Sequence, residues 1–261
     1  PGTATPDSIP AVTLASSPAG WAQSKNVTIT YSDTNVDDAK YYFLSGKNGT
    51  TTATIYRCNN DISAPDTSSC SSTAASSVEA GYWYRTSNKS TVITYNTEGQ
   101  FSVNAITYDT QGNTSGTGSV SVSNIDVTQP IVTRTEIYDT YTTNTYTLSY
   151  VLTDKLADGL TDGSLGSSGT TYTCYYGETS SYGNTVSGNG TSCTLTGLTS
   201  YTGSGSSATP GKLYYYKVRV TDGAGNVREI TGSFTFKIKA ENLSYDPTGT
   251  DSTCTDAQCM I

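Results

Sequence analysis

Histidine does not occur in this chain of 261 residues. Its absence removes the commonest general base and the commonest nitrogen ligand for a metal. Neither a Ser-His nor a Cys-His nucleophile pair can be built. Methionine occurs once and phenylalanine four times. Apolar stripes of helical period are absent, and so is any cluster of Lys and Arg. With 14 basic against 22 acidic residues and a net charge of -8, a nucleic-acid partner is excluded, because phosphate backbones demand basic patches. No apolar run approaches the roughly 20 residues of a membrane-spanning helix. No signal peptide is visible, and a start at Pro1 rather than methionine reads as a piece processed or cut from a longer precursor. The cysteines lack the C-x-x-C spacing of a zinc site, and no loop has the spacing of an EF-hand. Paired carboxylates can cleave glycosides without histidine, but no pair stands apart from the loop aspartates. The chain is therefore expected not to be an enzyme.

What is present is Thr, Ser, Tyr and Gly, arranged in alternation. An apolar content of only 34% would suit a disordered chain. Against that, runs of Val, Ile and Tyr alternate with polar residues and are separated by turn residues, the pattern of half-buried strands. The clearest case is 212–238. Tyr214, Tyr216, Val218 and Val220 fall on one face, with Lys217 and Arg219 on the other. The turn 222–226 supplies residues that tolerate positive φ. Beyond it, Ile230, Gly232, Phe234, Phe236 and Ile238 share a face.

The same hairpin occurs earlier. Phe101, Val103, Ala105 and Thr107 match the inward set, Asp109-Thr-Gln-Gly-Asn113 matches the turn, and Val120 and Val122 continue the return strand. A repeat of roughly 110 residues means two copies of one domain type, each long enough for an all-β sandwich. The expected fold class is all-β: two tandem β-sandwich domains with a short C-terminal tail. The expected divisions are a lead-in over 1–10, a sandwich over 11–124, a linker over 125–130, a second sandwich over 131–240 and a tail over 241–261. Strands are expected at 40–44 and 52–58, joined by an Asn48-Gly49 hairpin turn. Residues 181–189 read as a polar turn.

Six cysteines form an even set. Cys58 and Cys70 flank one loop, Cys174 and Cys193 a second, and Cys254 and Cys259 a third. Sequential pairing keeps each bond inside one structural unit and places the chain in an oxidising compartment, extracellular or at the cell surface. Free buried thiols are the alternative. No cofactor is expected except calcium, which takes six to eight oxygens. The candidate carboxylates are Asp33, Asp37 and Asp38 in one loop and Asp154, Asp158 and Asp162 in another. Asp126 stands near the domain junction, where it would cooperate with the turn aspartates Asp109 or Asp222. The competing reading is that such aspartates form Asx-turns and face water. Six N-x-[ST] sequons begin at Asn26, Asn48, Asn88, Asn113, Asn189 and Asn242. Dense tyrosines, at 41–42, 82 and 84 beside Trp83, 175–176 and 214–216, suit either strand filling or contact faces.

The second copy resembles a fibronectin type III module. The residues that carry the resemblance are Leu195 and Leu198, then Tyr214, Tyr216, Val218, Val220, Asp222, Gly225 and Asn226 at the spacing of that family's penultimate strand and following turn. The resemblance implies that the Tyr214 hydroxyl bonds back to the preceding corner. The first copy resembles a bacterial Ig-like repeat and has Phe101 where the second has Tyr214. Such modules serve as spacers, adhesins and polymer subunits. The expected function is a non-catalytic extracellular structural subunit of a surface layer, appendage or filament. It would self-associate into a polymer or lattice through contacts that do not close into a ring. The alternative is an adhesin or a carbohydrate- or protein-binding module with a glycan or surface receptor.

Overall fold

A computed structural model describes residues 8–32, 36–59, 67–135, 144–202 and 209–237. Asp33, Ile238, Asn242, Cys254, Cys259 and the expected tail lie outside them. Among the described residues no helix is long and apolar enough to cross a membrane. The chain divides into two compact units, Pro1–Thr128 with Lys155–Ser164, and Gln129–Asp154 with Leu165–Ile261.

The first unit contains β1 (Ala11–Ser17), β2 (Lys25–Ser32), β3 (Val36–Ser45), β4 (Ile55–Arg57), β5 (Trp83–Thr86), β6 (Ser90–Tyr95), β7 (Phe101–Asp109) and β8 (Gly118–Val122). They form a three-stranded sheet, β1-β2-β6, and a five-stranded sheet, β4-β5-β3-β7-β8. The second contains β9 (Ile131–Arg134), β10 (Tyr146–Thr153), β11 (Thr171–Gly177), β12 (Asn184–Ser187), β13 (Ser192–Leu195), β14 (Tyr201–Thr202), β15 (Thr209–Pro210), β16 (Lys212–Thr221) and β17 (Val227–Phe236). Its larger sheets are β13-β10-β9 and β12-β11-β16-β17, and β14 pairs with β15. Every pairing within these sheets is antiparallel. The two units share one plan. In each, the first two strands pair with a strand from the middle of the unit, and the closing hairpin joins the other sheet. This is the tandem Ig-like/fibronectin type III-like sandwich.

Alternation decides which side of each strand meets the core. In β2, Val27, Ile29 and Tyr31 are buried while Asn26, Thr30 and Ser32 face out. In β16, Tyr214, Tyr216, Val218 and Val220 are buried, as the sequence predicts. Phe101, Val103, Ala105 and Thr107 of β7 are buried likewise. Residues from both sheets meet in each core: Ile29 and Ile93 with Phe43 and Val103 in the first unit, Leu148 and Leu195 with Val218 and Phe236 in the second. The first core continues to Ile125, which is 1% exposed. Ala22 N donates to Asn124 O and Asp126 N to Ala22 O, so the start of the expected linker is part of the first sandwich.

Tyrosine does much of the filling, and each phenol buried with its ring needs a partner. Tyr31 donates to Tyr42 O at 3.1 Å, and Tyr95 Oη lies 2.9 Å from Ser45 Oγ. Glu79 N donates to Tyr84 Oη at 2.7 Å. In the second unit Tyr150 donates to Asn189 O at 2.5 Å and Tyr176 to Thr196 O at 3.0 Å. Thr199 N donates to Tyr214 Oη at 3.0 Å, the corner bond implied by the resemblance. Arg134 serves two more: its guanidinium donates to Tyr146 Oη and Tyr216 Oη and lies 4.6 Å from the Tyr216 ring centroid.

Further sequence expectations differ from the structure. The Asn48-Gly49 hairpin does not form: β3 pairs with β5 and β7, and β4 pairs with β5. The intervening chain crosses to the other sheet. Gly49 exchanges backbone hydrogen bonds with Val78, and Thr50 with Thr94. Gly49 is needed for close approach rather than for a turn, since a Cβ there would stand 2.8 Å from Tyr95 Cε1 and 2.9 Å from Ile93 Cγ2. The polar segment 181–189 contains strand β12, paired with β11 from Thr173↔Ser187 to Tyr176↔Asn184. Its mostly exposed face leaves no hydrophobic alternation to read.

Burial pushes the phenols of Tyr95 and Tyr150 up to about 12, and that of Tyr31 higher still. A phenol raised on folding contributes stability that is complete below its unfolded value near 10 and lost as pH rises through the folded value. Both units are therefore expected to lose stability progressively between about pH 10 and 12. Phenolate absorbance at equilibrium checks this: the buried tyrosines should ionise together with loss of near-UV circular dichroism, not before it.

Candidate functional site

The polar groups most deeply built into the fold sit at the ends of the two closing hairpins. In the first, Gln111 N and Asn113 N donate to Asp109 Oδ1 at 2.9 and 2.7 Å, and Asn113 Nδ2 donates to Oδ2 at 2.6 Å. In the second, Ala224 N and Asn226 N donate to Asp222 Oδ1 at 2.9 and 2.8 Å, and Asn226 Nδ2 to Oδ2 at 2.9 Å. Asp109 N and Asp222 N donate to the carbonyls of Asn113 and Asn226, each at 3.0 Å. Gly112 and Gly225 occupy the left-handed region at φ 90° and 92°, which a side chain would strain. Asp109 is 0% and Asp222 1% exposed. A buried carboxylate is tolerable because its oxygens accept charge-assisted bonds from its own turn.

The remaining aspartates are placed differently. Asp126 is buried in the first unit and accepts from Thr128 N and Ser164 N. Asp154, buried in the second unit, accepts from Leu165 N. Asp154 and Asp222 bring carboxylate oxygens within 4.8 Å of each other. Asp158 and Asp162 are exposed: Asp158 accepts from Leu160 N, Thr161 N and Thr161 Oγ1, and Asp162 pairs with Lys155. Asp37 and Asp38 lie within β3.

Four cysteines are paired as the sequence proposes, Cys58 with Cys70 and Cys174 with Cys193. The second bond ties β11 of one sheet to β13 of the other, through the core. The first seals a smaller apolar cluster on the outer face of the five-stranded sheet, where Cys58 packs with Tyr42, Trp83 and Ile106. Closing loops of 12 and 19 residues contributes about 2–4 kcal/mol each.

A cleft of about 560 Å³ in the first unit is lined by Lys47, Asn96, Glu98, Val127, Leu156 and Asp158 among others. Glu98 was not singled out by sequence, because a lone acid beside a glycine carries no pattern. Its Oε1 accepts from Val127 N and Thr128 Oγ1, both at 2.8 Å, and its Oε2 from Ala157 N at 2.5 Å. Burial pushes the Glu98 carboxyl up, but these bonds outweigh it and hold the group below its ordinary range. Asp158 is likewise held low, chiefly by the Thr161 hydroxyl. A glycosidase acid needs a carboxyl shifted the other way.

Three half-buried tyrosines lie beside cations. Arg57 lies 4.5 Å from the Tyr82 ring centroid, Arg85 4.6 Å from that of Tyr56, and Lys217 4.5 Å from that of Tyr175.

No family model matches the chain, and no curated protein matches it. Among solved structures it is similar to the fibronectin(III)-like modules of Clostridium thermocellum CbhA, at 15% identity over 88% of this chain and 97% of that one, with a TM-score of 0.32. The N-terminal domains of the bacteriophage RB49 highly immunogenic outer capsid protein give 12% identity over 88% and 59%, with a TM-score of 0.32. Chicken CNTN1 FN1–FN3 domains give 13% over 90% and 69%, with a TM-score of 0.30. These are distant likenesses. The fold assignment rests on strand order, inter-sheet cores and the tyrosine corner.

Asp222→Ala removes the acceptor for three donors and leaves them inside a buried turn. It is expected to destabilise the second unit by about 2–4 kcal/mol, while Asp222→Asn, which keeps one acceptor oxygen, loses less. Denaturant unfolding checks both. Equal stability of the alanine variant and wild type would contradict the turn-holding role.

Proposed function

We propose that this chain is a non-catalytic extracellular structural subunit whose sandwiches pack against other copies in a surface layer, appendage or filament. One observation carries the reading. The three-stranded sheet of each unit turns a charge-free face outward. In the first unit the outward positions are Thr13 and Ala15 of β1, Asn26, Thr28 and Thr30 of β2, and Ser90, Val92 and Thr94 of β6, with registers Thr13↔Thr30, Thr28↔Val92 and Asn26↔Thr94. In the second they include Ile131 and Thr133 of β9, Thr147, Ser149 and Val151 of β10, and Thr194 of β13.

None of these side chains is charged, in a chain of net charge -8. Like-charged copies repel. Faces of hydroxyls and small apolar groups are where two copies of such a chain meet at least electrostatic cost. Val92, Val151 and Ile131 are 44%, 53% and 60% exposed, and burying them is favourable by about 25 cal/mol per Å². The opposite sheet of the second unit bears the charge instead: Lys217 and Arg219 pair with Glu229.

The non-catalytic part of the reading is supported by the acids of the cleft, held ionised and engaged by loop N–H groups. The extracellular part is supported by the two disulfides. A second reading, a glycan- or protein-binding module, draws on the half-buried Tyr56 and Tyr82 beside Arg85 and Arg57.

Electron microscopy and sedimentation of the purified chain test the proposal. Wild-type protein is expected to form ordered assemblies. A Thr30→Lys, Val151→Lys double variant is expected to stay dispersed while keeping its stability within about 1 kcal/mol, as exposed substitutions do. Dispersed wild-type particles at every concentration would remove the structural reading and direct the search to a receptor.

A further inference from the structure

The structure separates sequons that look alike in sequence. Asn113 Nδ2 is committed to Asp109 Oδ2. Asn26 lies in β2, paired on both sides by β1 and β6, so its backbone stays extended. Asn48 Oδ1 accepts from Ala80 N, and Gly49 and Thr50 are tied to Val78 and Thr94. Asn88 is exposed, but its hydroxyl residue, Ser90, begins β6.

Asn189 differs from all of these. The segment Asn189-Gly190-Thr191 forms the exposed turn between β12 and β13. Asn189 Oδ1 accepts from Thr191 N at 2.8 Å, Thr191 Oγ1 at 2.9 Å and Ser192 N at 2.8 Å. The turn is fixed beneath: Tyr150 donates to Asn189 O, and Asn189 N donates to Ser192 O at 2.9 Å. None of the bonds made by the Asn189 side chain uses Nδ2, so the amide nitrogen faces solvent with its protons unengaged.

We propose that Asn189 is an acceptor for N-linked glycosylation. Three donors on Oδ1 draw negative charge onto the amide oxygen and make the Nδ2 protons more acidic, which an amide needs in order to act as a nucleophile. The Thr191 hydroxyl that the sequon requires is already on that oxygen. The donor is an oligosaccharide linked through its anomeric carbon to a polyprenyl phosphate or pyrophosphate. Nδ2 forms the bond to the anomeric carbon, the bond from that carbon to phosphate oxygen breaks, and the Nδ2 proton passes to a base of the transferase. The glycan would stand on a surface loop, where its bulk is tolerated. This inference rests on the extracellular reading, since the transferase acts on secreted chains.

Glycopeptide mapping of the full chain, secreted by its native source or by a host with an N-glycosylating secretory pathway, tests it. The peptide containing Asn189 is expected to carry glycan, and the one containing Asn113 none. Asn189→Gln and Thr191→Val are each expected to abolish that glycopeptide, and Thr191→Ser to lower its occupancy, with both disulfides retained. A bare Asn189 in protein carrying both disulfides overturns the proposal and leaves the extracellular reading standing. Free thiols at Cys58, Cys70, Cys174 and Cys193 overturn both. Glycan at Asn88 alone overturns the assignment to this turn.

Discussion

The satisfaction of buried tyrosine hydroxyls is the constraint on which the rest of the structure depends. With 21 tyrosines against four phenylalanines and one methionine, the sandwiches are filled largely by phenols. A phenol ring contributes apolar area as phenylalanine does, but its hydroxyl, if buried without a partner, costs about 1–3 kcal/mol. The chain meets this by tying buried rings in both units to loops or facing strands. Tyr31 reaches from β2 to the backbone of β3. Tyr150, Tyr176 and Tyr214 reach the loop carbonyls or amides around β13. Each such bond fixes a connection as well as filling space, which suits a polar chain that has few other means of holding its loops.

The same economy governs the charged groups. Asp109 and Asp222 hold the two closing turns with nearly superimposable bonding, so the repeated hairpin is repeated chemistry as well as repeated sequence. Glu98 holds two backbone amides and a hydroxyl, and Arg134 serves two phenols. Acids engaged in this way are oriented toward the protein's own N–H groups. They are architectural groups. The two modules differ at one corner: Tyr214 closes it in the second, whereas Phe101 takes that place in the first, where Tyr95 and Ser45 supply a buried hydroxyl pair instead.

Much of the fold was legible in the residues. The period-2 pattern of β2, β7 and β16 gave the core faces, and the D-x-x-G-N spacing gave both turns. Cysteine order gave the two described disulfides, and the residues of β16 gave the tyrosine corner. Other features had no local signal. Asn48-Gly49 reads as a hairpin turn because turn chemistry and close-packing chemistry both select glycine, and only the Tyr95 ring and the Ile93 methyl packed against it distinguish them. Strand β12 is too exposed for alternation to mark it. The roles of Glu98 and Arg134 depend on segments brought together from distant sequence, the loop at Ala157 in one case and the strands carrying Tyr216 and Ser233 in the other. The sequons at Asn113 and Asn189 both fit N-x-[ST] and diverge in what each amide contacts.

The central claim, that tyrosine hydroxyls hold these sandwiches together, is tested most directly by single Tyr→Phe substitutions at Tyr31, Tyr84, Tyr95, Tyr150, Tyr176 and Tyr214, with unfolding free energy measured in denaturant. Each substitution keeps the ring and removes the hydrogen bonds of its hydroxyl, so the account predicts a loss of at least about 1 kcal/mol at every site. The loss should be larger at Tyr84, Tyr176 and Tyr214, where a backbone N–H is left without its acceptor. Phenylalanine variants as stable as wild type, or more stable, would contradict the account and return the folding free energy to apolar burial alone.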